Sequence, residues 1–499
     1  MLFNSVEFCL FFFPLVTGLY FLLPHRFRWM LLLAASCWFY MAFVPLFILI
    51  LAFTIGVDYV AGIAIEGSEG RRKKLYLVGS IVANVGVLAV FKYWDFLNGS
   101  LTEVFGAMGV AYHAPLLKEW TFFGYLPAGM VLPIGLSFHT FQSLSYTIEV
   151  YRKHQPAERR FGIFALYVMF YPQLVAGPIE RPANLLNQLN APLGHGIRSS
   201  FDHDRVVWGL KQMLWGFFKK LVIADRCGVI VDQVYGDVHH HGALSLLLAT
   251  YCFAFQIYCD FSGYTDIALG AARVMGFDLM VNFRTPYRSG SITEFWSRWH
   301  ISLSSWFRDY LYIPLGGNRV AKWRWYYNLM VVFLVSGLWH GTDWTYIIWG
   351  ALHGAYLVLA LVFAPLWVHA DGLTGLVAWP RLRRTINVVI TFHLVLVGWV
   401  FFRADSVHDA FEVYTRLFTT PWRLNDLYLL YKAVPTSLFE FTVVWILLFL
   451  LLDPVFDTWI KRERKWPTGW RGQVAFASLL VAIMLFGYFG STSFIYFQF

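Results

Sequence analysis

The chain has 499 residues, of which 58% are hydrophobic and only 14% are charged. A mean hydropathy of +0.55 excludes an ordinary soluble globular protein. The net charge of +9 does not indicate a nucleic-acid partner, because the basic residues lie in short loops between apolar runs, where they orient a protein in a membrane. About a dozen runs approach the roughly 20 residues that a helix needs to cross a bilayer. We therefore predict an all-α, polytopic protein of the lipid bilayer, with about 11–13 membrane helices in one domain over residues 1–499.

The first apolar run, residues 10–23, is expected to be a retained membrane span. It has neither the basic segment nor the small-residue cleavage site of a signal peptide. Basic turns follow at residues 24–28 and 71–74, separated by two apolar runs at 29–40 and 46–65. Because Lys and Arg are enriched in cytoplasmic loops, we place both turns in the cytoplasm and both ends of the chain outside.

The next part of the chain is less regular. Residues 98–127 lie between the apolar runs 75–91 and 130–151, carry few basic residues and are expected to form an outer loop. Residues 171–178 have prolines near both ends of a short apolar piece, which argues against a simple span. Irregular backbone at membrane depth is tolerated only where protein or a water-filled cavity surrounds it, so we expect a re-entrant segment there.

The sequence predicts no metal in the functional site. Three consecutive histidines at residues 239–241 lie in a short polar turn, where a solvated loop and a metal site both fit the pattern. The cysteines have apolar neighbours and no CxxC spacing, so we expect small buried side chains and neither a disulfide framework nor a zinc site. These cysteines are Cys9, Cys37, Cys227, Cys252 and Cys259.

Asp260 and Asp266 interrupt a further apolar run. Six residues apart on a helix, they diverge by about 120–240° around its axis. They are therefore not a paired acid and base. Either carboxylate can orient a histidine or pair with an arginine such as Arg273 or Arg284, and the pattern does not choose between these roles.

Residues 291–311 predict an amphipathic helix at the membrane interface. Ser291 and Glu294 have the spacing of an N-terminal capping box, and Pro314 with the following glycines ends the helix. At 100° per residue the aromatic and aliphatic side chains share one face, and the charged side chains share the other. His300 falls at the margin of the apolar face, where an auxiliary functional role and an incidental surface position are both open.

His340 ends a nearly uncharged run, residues 325–340, that follows the basic turn 319–324. Sixteen residues at a rise of 1.5 Å span roughly 24 Å, which places this imidazole deep in the bilayer. Ionisable side chains at that depth are costly and usually functional. A neutral imidazole there suits a general base for a hydroxyl or thiol, and a core histidine bonded to a neighbouring helix is the alternative. We expect Gly341 to be the C′ residue of the helix and His353 to pack in the interior.

Seven further segments are distinctive: EFWSRWHISLSSWFRDYLYIPLGGNR (294–319), GLWHG (337–341), QLVAGPIERP (173–182), CDFSGYTDIA (259–268), NFRTPY (282–287), GWVFFRADS (398–406) and the terminal FIYFQF. Together they resemble the membrane-bound O-acyltransferases, most closely the bacterial branch that O-acetylates alginate and related exopolysaccharides or peptidoglycan. The resemblance covers nearly the whole chain. Its small departures include Ser297, where an arginine is usual, and Tyr171, where phenylalanine is common.

The resemblance implies a ring of tilted membrane helices, with re-entrant and interfacial helices, around a funnel. His340 matches the essential histidine of the family, and His300 matches its second, less uniformly retained histidine. The implied donor is cytoplasmic acetyl-CoA, without a metal cofactor. The acetyl group would cross the bacterial inner membrane to a polysaccharide acceptor through a periplasmic SGNH-type acyltransferase, together with polysaccharide biosynthesis and export proteins. Both ends of the chain would then be periplasmic.

Two other functions stay open at this point. A D-alanine-transferring relative that acts on teichoic acid would take its donor from a carrier protein rather than from coenzyme A. A proton-coupled membrane transporter would use the buried His and Asp residues as a relay. Transporters usually contain paired repeats with broken helices, and no such repeat is evident in this sequence.

Overall fold

The computed structural model describes residues 1–117, 133, 135–175, 177–191, 201–462, 469–490 and 494–495. Within these ranges the regular elements are helices without any strand, which confirms the all-α, polytopic class. Among the described residues, seven helical segments are long and apolar enough to cross a membrane, and the total of 11–13 stays a prediction. The seven are Pro45–Glu66, Gly70–Ala107, Ala243–Val274, Trp344–Val362, Pro380–Arg403, Leu438–Trp459 and Gly469–Phe486.

The helices are numbered here in chain order. Those up to residue 217 are α1 (Phe13–Leu22), α2 (His25–Met41), α3 (Ile48–Glu66), α4 (Gly70–Leu88), α5 (Trp94–Ala107), α6 (Leu136–Tyr151), α7 (Phe161–Met169), α8 (Tyr171–Leu174), α9 (Pro182–Asn190) and α10 (His203–Phe217). Those that follow are α11 (Asp225–Tyr235), α12 (Ala243–Val274), α13 (Ile292–Arg298), α14 (Ile301–Phe307), α15 (Lys322–His340), α16 (Trp344–Val362), α17 (Ala364–Leu373), α18 (Pro380–Arg403), α19 (Val407–Thr419), α20 (Leu424–Ala433), α21 (Thr436–Phe456) and α22 (Gly469–Phe486).

The chain divides into two compact units. The first comprises Met1–Leu210 and Ala268–Met280, and the second comprises Lys211–Ile267 and Val281–Phe499. Helices α10 and α12 contribute residues to both units. The sequence-based assignment of a single domain over residues 1–499 stays a prediction.

In the first unit the helices follow the predicted apolar runs with shifted ends. The basic turn at residues 24–28 is largely absorbed into α2, which begins at His25. The predicted outer loop at residues 98–127 is wrong in its first part, because α5 continues through Ala107. The Asn98 side chain on that helix donates a hydrogen bond to the carbonyl of Ala114 at 2.7 Å, which holds the following chain against α5. Residues 118–127 lie outside the described residues.

The proline-flanked segment at residues 171–178 does not form a simple span, as predicted. Helix α8 has only four residues, and Tyr171, Leu174 and Val175 are buried. Its re-entrant path stays a prediction.

Polar side chains join three helices of the first unit. Asp58 on α3 is fully buried and accepts hydrogen bonds from Ser80 Oγ (2.6 Å) and from the Asn84 amide (2.9 and 3.0 Å), both on α4. Ser80 Oγ also lies 3.2 Å from Thr147 Oγ1 on α6. Such hydrogen bonds stabilise helix contacts where burial of apolar surface cannot, because lipid is as apolar as leucine.

In the second unit α15 and α16 form a close antiparallel pair through glycines. A Cβ atom on Gly350 would lie 2.3 Å from the carbonyl oxygen of Phe333, and one on Gly337 would lie 2.3 Å from that of Tyr346. The two backbones can therefore touch only because these positions lack side chains. Helix α15 has the length of a span but is not among the seven apolar helices, because Lys322, Arg324 and many aromatic residues lower its hydropathy.

We expect Gly350→Ala to destabilise the protein by about 1–3 kcal/mol, since the new methyl group meets backbone rather than a movable side chain. The measurement is the free energy of unfolding in an SDS titration of purified protein in mixed micelles. Gly79→Ala is the matched control, because a Cβ at Gly79 on α4 would have no atom within 4 Å. Equal stabilities of the two variants would show that the helix contact is looser than described.

Candidate active site

His340 is the last residue of α15 and is 5% exposed. Three aromatic rings meet its imidazole edge to face, with ring centroids 4.8 Å away for Trp339, 5.0 Å for Trp349 and 5.3 Å for Phe402. These rings come from α15, α16 and α18, so the packing of three helices holds the imidazole in place. The surroundings are apolar and exclude most water from the ring.

The chain turns immediately after His340. Gly341 directly follows α15, and its backbone is extended rather than left-handed, with φ −155° and ψ 165°. The glycine is needed for another reason: a Cβ there would lie 2.1 Å from the ring of Tyr346. Asp343 then begins α16, with its carboxylate accepting the Thr345 N–H at 2.9 Å. Tyr346 takes the place that a side chain at residue 341 would otherwise fill.

His300 does not lie on the single helix predicted for residues 291–311, which is a correction. The capping box is present, since Ser291 Oγ accepts the Glu294 N–H at 3.1 Å, but α13 ends at Arg298. His300 then adopts the left-handed region, with φ 43° and ψ 54°, and α14 begins at Ile301. Such a backbone is uncommon for a residue other than glycine.

Backbone pairing with an upstream segment accounts for this break. The Arg284 N–H donates to the carbonyl of Arg298 at 3.0 Å, and the Ile301 N–H donates to the carbonyl of Asn282 at 2.8 Å. Ser302 Oγ donates to the Asn282 side chain at 2.6 Å. These hydrogen bonds satisfy donors and acceptors that a continuous helix would have used internally.

The break turns the His300 side chain inward, where it is 1% exposed. Its ring meets Phe261 of α12 at 4.7 Å and Trp339 of α15 at 6.2 Å. Burial lowers the pKa of His300 from its usual 6.5 to about 3, so the imidazole is neutral at physiological pH. Trp339 thus contacts both histidines.

His353 packs in the interior, as predicted, and joins the same aromatic cluster. It is fully buried on α16, with its ring 5.1 Å from Trp296 and 5.1 Å from Trp349. Trp349 is also the ring that meets His340 at 5.0 Å. The three histidines are therefore connected through Trp339 and Trp349.

Asp260 and Asp266 pair with two lysines that the sequence analysis did not single out. Lys219 Nζ lies 2.5 Å from Asp266 Oδ2 and donates to Ser262 Oγ at 2.9 Å. Lys220 Nζ lies 2.8 Å from Asp260 Oδ1, so each carboxylate has a lysine partner that the open alternatives did not include.

The lysine–aspartate network is buried in the second unit. Lys219 and Lys220 lie on a π-helical segment, Phe218–Ala224, between α10 and α11, and Lys220 also pairs with Asp225 at 2.7 Å. The signal that could have revealed it is the FFKKLVIA run itself, since two adjacent lysines in an apolar run need acidic partners.

The downstream end of the chain contacts this network. The Ile495 N–H donates to Asp260 Oδ2 at 2.9 Å. The ring of Phe494 lies 4.4 Å from that of Tyr264 and 6.1 Å from that of Phe261, which in turn contacts His300. Part of the FIYFQF segment thus packs beside the site, and residues 496–499 lie outside the described residues.

A polar cavity of about 540 Å³ opens at the turn that follows His340, and the imidazole itself does not line it. It is lined by Thr342, Thr345 and Tyr346, together with a charged group. The Tyr346 ring lies 5.1 Å from Phe402, which contacts His340.

The charged side chains that line this cavity are mainly acidic. Arg403 pairs with Asp232 at 2.9 Å and with Asp405 at 3.3 Å, and Asp343 supplies a third carboxylate. A neutral imidazole can accept a proton from a hydroxyl group that reaches it. Within the described residues, no group of three or more His, Cys, Asp or Glu side chains is arranged for a metal ion.

Comparisons with known proteins identify a family and several relatives. Residues 152–404, which include both His300 and His340, match the model of the MBOAT, membrane-bound O-acyltransferase family. The chain is 38% identical over 430 residues to the probable alginate O-acetylase AlgI of Pseudomonas aeruginosa, covering 86% of this chain and 77% of that protein. A peptidoglycan O-acetyltransferase of Helicobacter pylori is 31% identical over 448 residues (83% and 79% covered). A teichoic acid D-alanyltransferase of Bacillus subtilis is 26% identical over 342 residues (66% and 78% covered).

We expect Lys219→Met to lower the free energy of unfolding by about 3–5 kcal/mol, because it leaves the buried carboxylate of Asp266 without its cation. The double variant Lys219→Met with Asp266→Asn should recover most of that loss. SDS titration of each variant measures both values. The exposed pair Arg308–Asp309 is the control, and its disruption should cost at most about 1 kcal/mol.

Proposed function

Because the chain belongs to the membrane-bound O-acyltransferase family, we propose that it takes acetyl from cytoplasmic acetyl-CoA and passes it across the inner membrane for O-acetylation of an alginate-like exopolysaccharide. The chain is an O-acyltransferase and a multi-pass membrane protein. The observation that carries the finer proposal is His340, which is buried among aromatic rings inside the family-matched region, two residues before Thr342, a residue that lines the polar cavity. The relatives named for alginate and peptidoglycan O-acetylation support acetyl transfer to a polysaccharide.

His340 is the general base of the transfer in this proposal. The acceptor hydroxyl gives its proton to the imidazole while its oxygen bonds to the acetyl carbonyl carbon. The carbon–sulfur bond of the thioester then breaks, and the coenzyme thiolate takes the proton from the imidazolium. Trp339, Trp349 and Phe402 exclude water from this position, which protects the thioester from hydrolysis.

His300 is an auxiliary residue in the same proposal. Its neutral ring packs against Trp339, and Trp339 packs against His340. His300 therefore helps to hold the base in the geometry that proton transfer requires. In sequence, His300 lies between α13 and the basic turn at residues 319–324. That turn is predicted to be cytoplasmic, and the donor enters from the cytoplasm in this proposal.

The charge distribution supports the orientation of the protein. Basic turns in the cytoplasm place the start of α15 inside and both ends of the chain in the periplasm. The end of α15 at His340, and the cavity beside it, then face the acceptor side of the membrane.

The acidic cavity also supports a protein partner. Three carboxylates and one guanidinium line it, so a polyuronate chain would be repelled. A neutral hydroxyl, such as one carried by a periplasmic SGNH-type acyltransferase, fits better and would relay the acetyl group to the polymer. Polysaccharide biosynthesis and export proteins would act with this pair.

D-alanine transfer to teichoic acid is the second candidate, favoured by the 26% identity to the teichoic acid D-alanyltransferase. Purified protein in proteoliposomes separates the two. Release of free coenzyme A from acetyl-CoA in the presence of acceptor supports acetyl transfer, and turnover that requires a D-alanyl carrier protein supports the alternative. The family assignment argues against a proton-coupled transporter.

We expect His340→Ala to reduce acetylation of the polymer at least 100-fold, because general-base catalysis contributes about 10²–10⁴-fold. The measurement is ester-linked acetate on the exported polysaccharide, with membrane insertion of the variant checked separately. His393→Gln is the matched control, since His393 is an exposed histidine bonded to Tyr251 at 2.6 Å. Undiminished acetylation in His340→Ala would exclude this residue as the base.

Two substitutions at His300 separate its backbone role from its side-chain role. We expect His300→Asn to keep the fold, because Asn tolerates the left-handed region, and to lower kcat by roughly tenfold without a matching change in KM. His300→Val should also lose about 1–2 kcal/mol of stability, since a branched side chain is strained at this backbone. If His300→Asn has unaltered kcat, the proposed positioning role is wrong.

A further inference from the structure

A second cavity, of about 300 Å³, lies in the first unit and is basic rather than acidic. Arg26 and Arg28 of α2 line it together with Arg160, which precedes α7, and His25 adds an imidazole. Among the described residues that line it there is no carboxylate. Guanidinium groups converging on one cavity are the usual protein recognition device for phosphate.

Two of the three guanidinium groups are held in place before any ligand arrives. The Arg28 side chain donates from Nε to the carbonyl of Leu23 at 3.2 Å and lies over the Tyr20 ring at 4.7 Å. Arg160 Nε lies 3.4 Å from Glu158 Oε1, which neutralises one of the three charges, and it also donates to Asn190. Preorganised donors lose less entropy on binding than mobile ones.

Two helix N-termini reinforce the positive potential. Helix α2 begins at His25 after Pro24, and α7 begins at Phe161 after Arg160. Neither helix has a side-chain cap, so the first N–H groups of both carry their partial positive charge at the residues that line the cavity. Such ends bind anions.

The walls of the cavity are aromatic. Trp29, Tyr20 and Phe277 line it, and Gly162 allows Trp29 to lie directly against α7, since a Cβ there would be 2.2 Å from the indole ring. A cavity with a cationic end and aromatic walls suits a ligand that has both an anionic and an apolar part.

The basic turn at residues 24–28, predicted to be cytoplasmic, lines this cavity together with Arg160. Arg160 therefore lies on the same side of the first unit as that turn, which the enrichment of Lys and Arg in cytoplasmic loops favours. A ligand would reach the cavity from the cytoplasm or from the inner leaflet.

We propose that this cavity binds the phosphate group of an amphiphilic phosphate ester at the cytoplasmic face of the membrane. Anionic phospholipids and phosphorylated coenzymes share that chemistry. The proposal does not rest on the transferase activity or on His340, because it concerns binding at residues in the other unit.

The test compares two double variants of the full-length protein in phosphatidylcholine nanodiscs. Arg26→Gln with Arg160→Gln removes two exposed guanidinium groups of the cavity. Arg71→Gln with Arg72→Gln removes the same charge from a basic cluster that does not line it. The probes are phosphatidylglycerol, counted by native mass spectrometry, and coenzyme A, measured by the shift of the unfolding midpoint.

We expect the cavity variant to bind at least one probe roughly tenfold more weakly than the wild type, and the cluster variant to bind as the wild type does. Loss confined to phosphatidylglycerol identifies a lipid as the source, and loss confined to coenzyme A identifies the coenzyme. Equal binding by the two variants, or no binding of either probe to the wild type, overturns the proposal. His340→Ala should bind phosphatidylglycerol unchanged, which keeps this test separate from that of the transfer reaction.

Discussion

The backbone contact between α15 and α16 is the constraint on which the candidate site depends. Gly337 and Gly350 bring the two helices so close that no side chain fits between them. This approach places Trp349 against His340 and also against His353. Because Gly341 has no side chain, the ring of Tyr346 fits against the turn after α15, and Tyr346 lines part of the polar cavity. A histidine at the end of a looser helix pair would have neither a fixed orientation nor a dry environment.

The second unit also contains ionised groups that the membrane environment makes expensive. Lys219 and Lys220 are buried beside Asp225, Asp260 and Asp266, and each lysine has an acidic partner within 2.8 Å. A buried charge pair adds little net stability compared with apolar residues, but either member alone is strongly destabilising. The network therefore restricts how α12 and the π-helical segment before α11 can pack. Phe261, between two of these aspartates in sequence, reaches His300.

Much of the site was predictable from local pattern. Hydropathy indicated the helix that carries His340, and the spacing of Ser291 and Glu294 indicated the start of α13. The break at His300 was not predictable, because hydrogen bonds to residues 282–284 replace helical ones there, and local periodicity does not report such pairing. The partners of Asp260 and Asp266 were missed for the same reason, because these lysines lie 40 and 47 positions away in sequence. The expected depth of a residue in a membrane follows from the hydropathy of the chain around it. Its hydrogen-bond and ion-pair partners instead depend on segments far away in sequence.

The hydrogen bond between Ile495 and Asp260 has a consequence for biosynthesis. The two residues are 235 positions apart, so the buried carboxylate lacks this donor while all of the intervening chain is made and inserted. The Arg226 guanidinium donates to the carbonyl of Phe486, a residue that is synthesised 260 positions later. Membrane insertion of the early helices therefore precedes completion of their polar contacts. The second unit reaches its final packing only after translation has passed residue 495, which makes its assembly a late, post-insertional event.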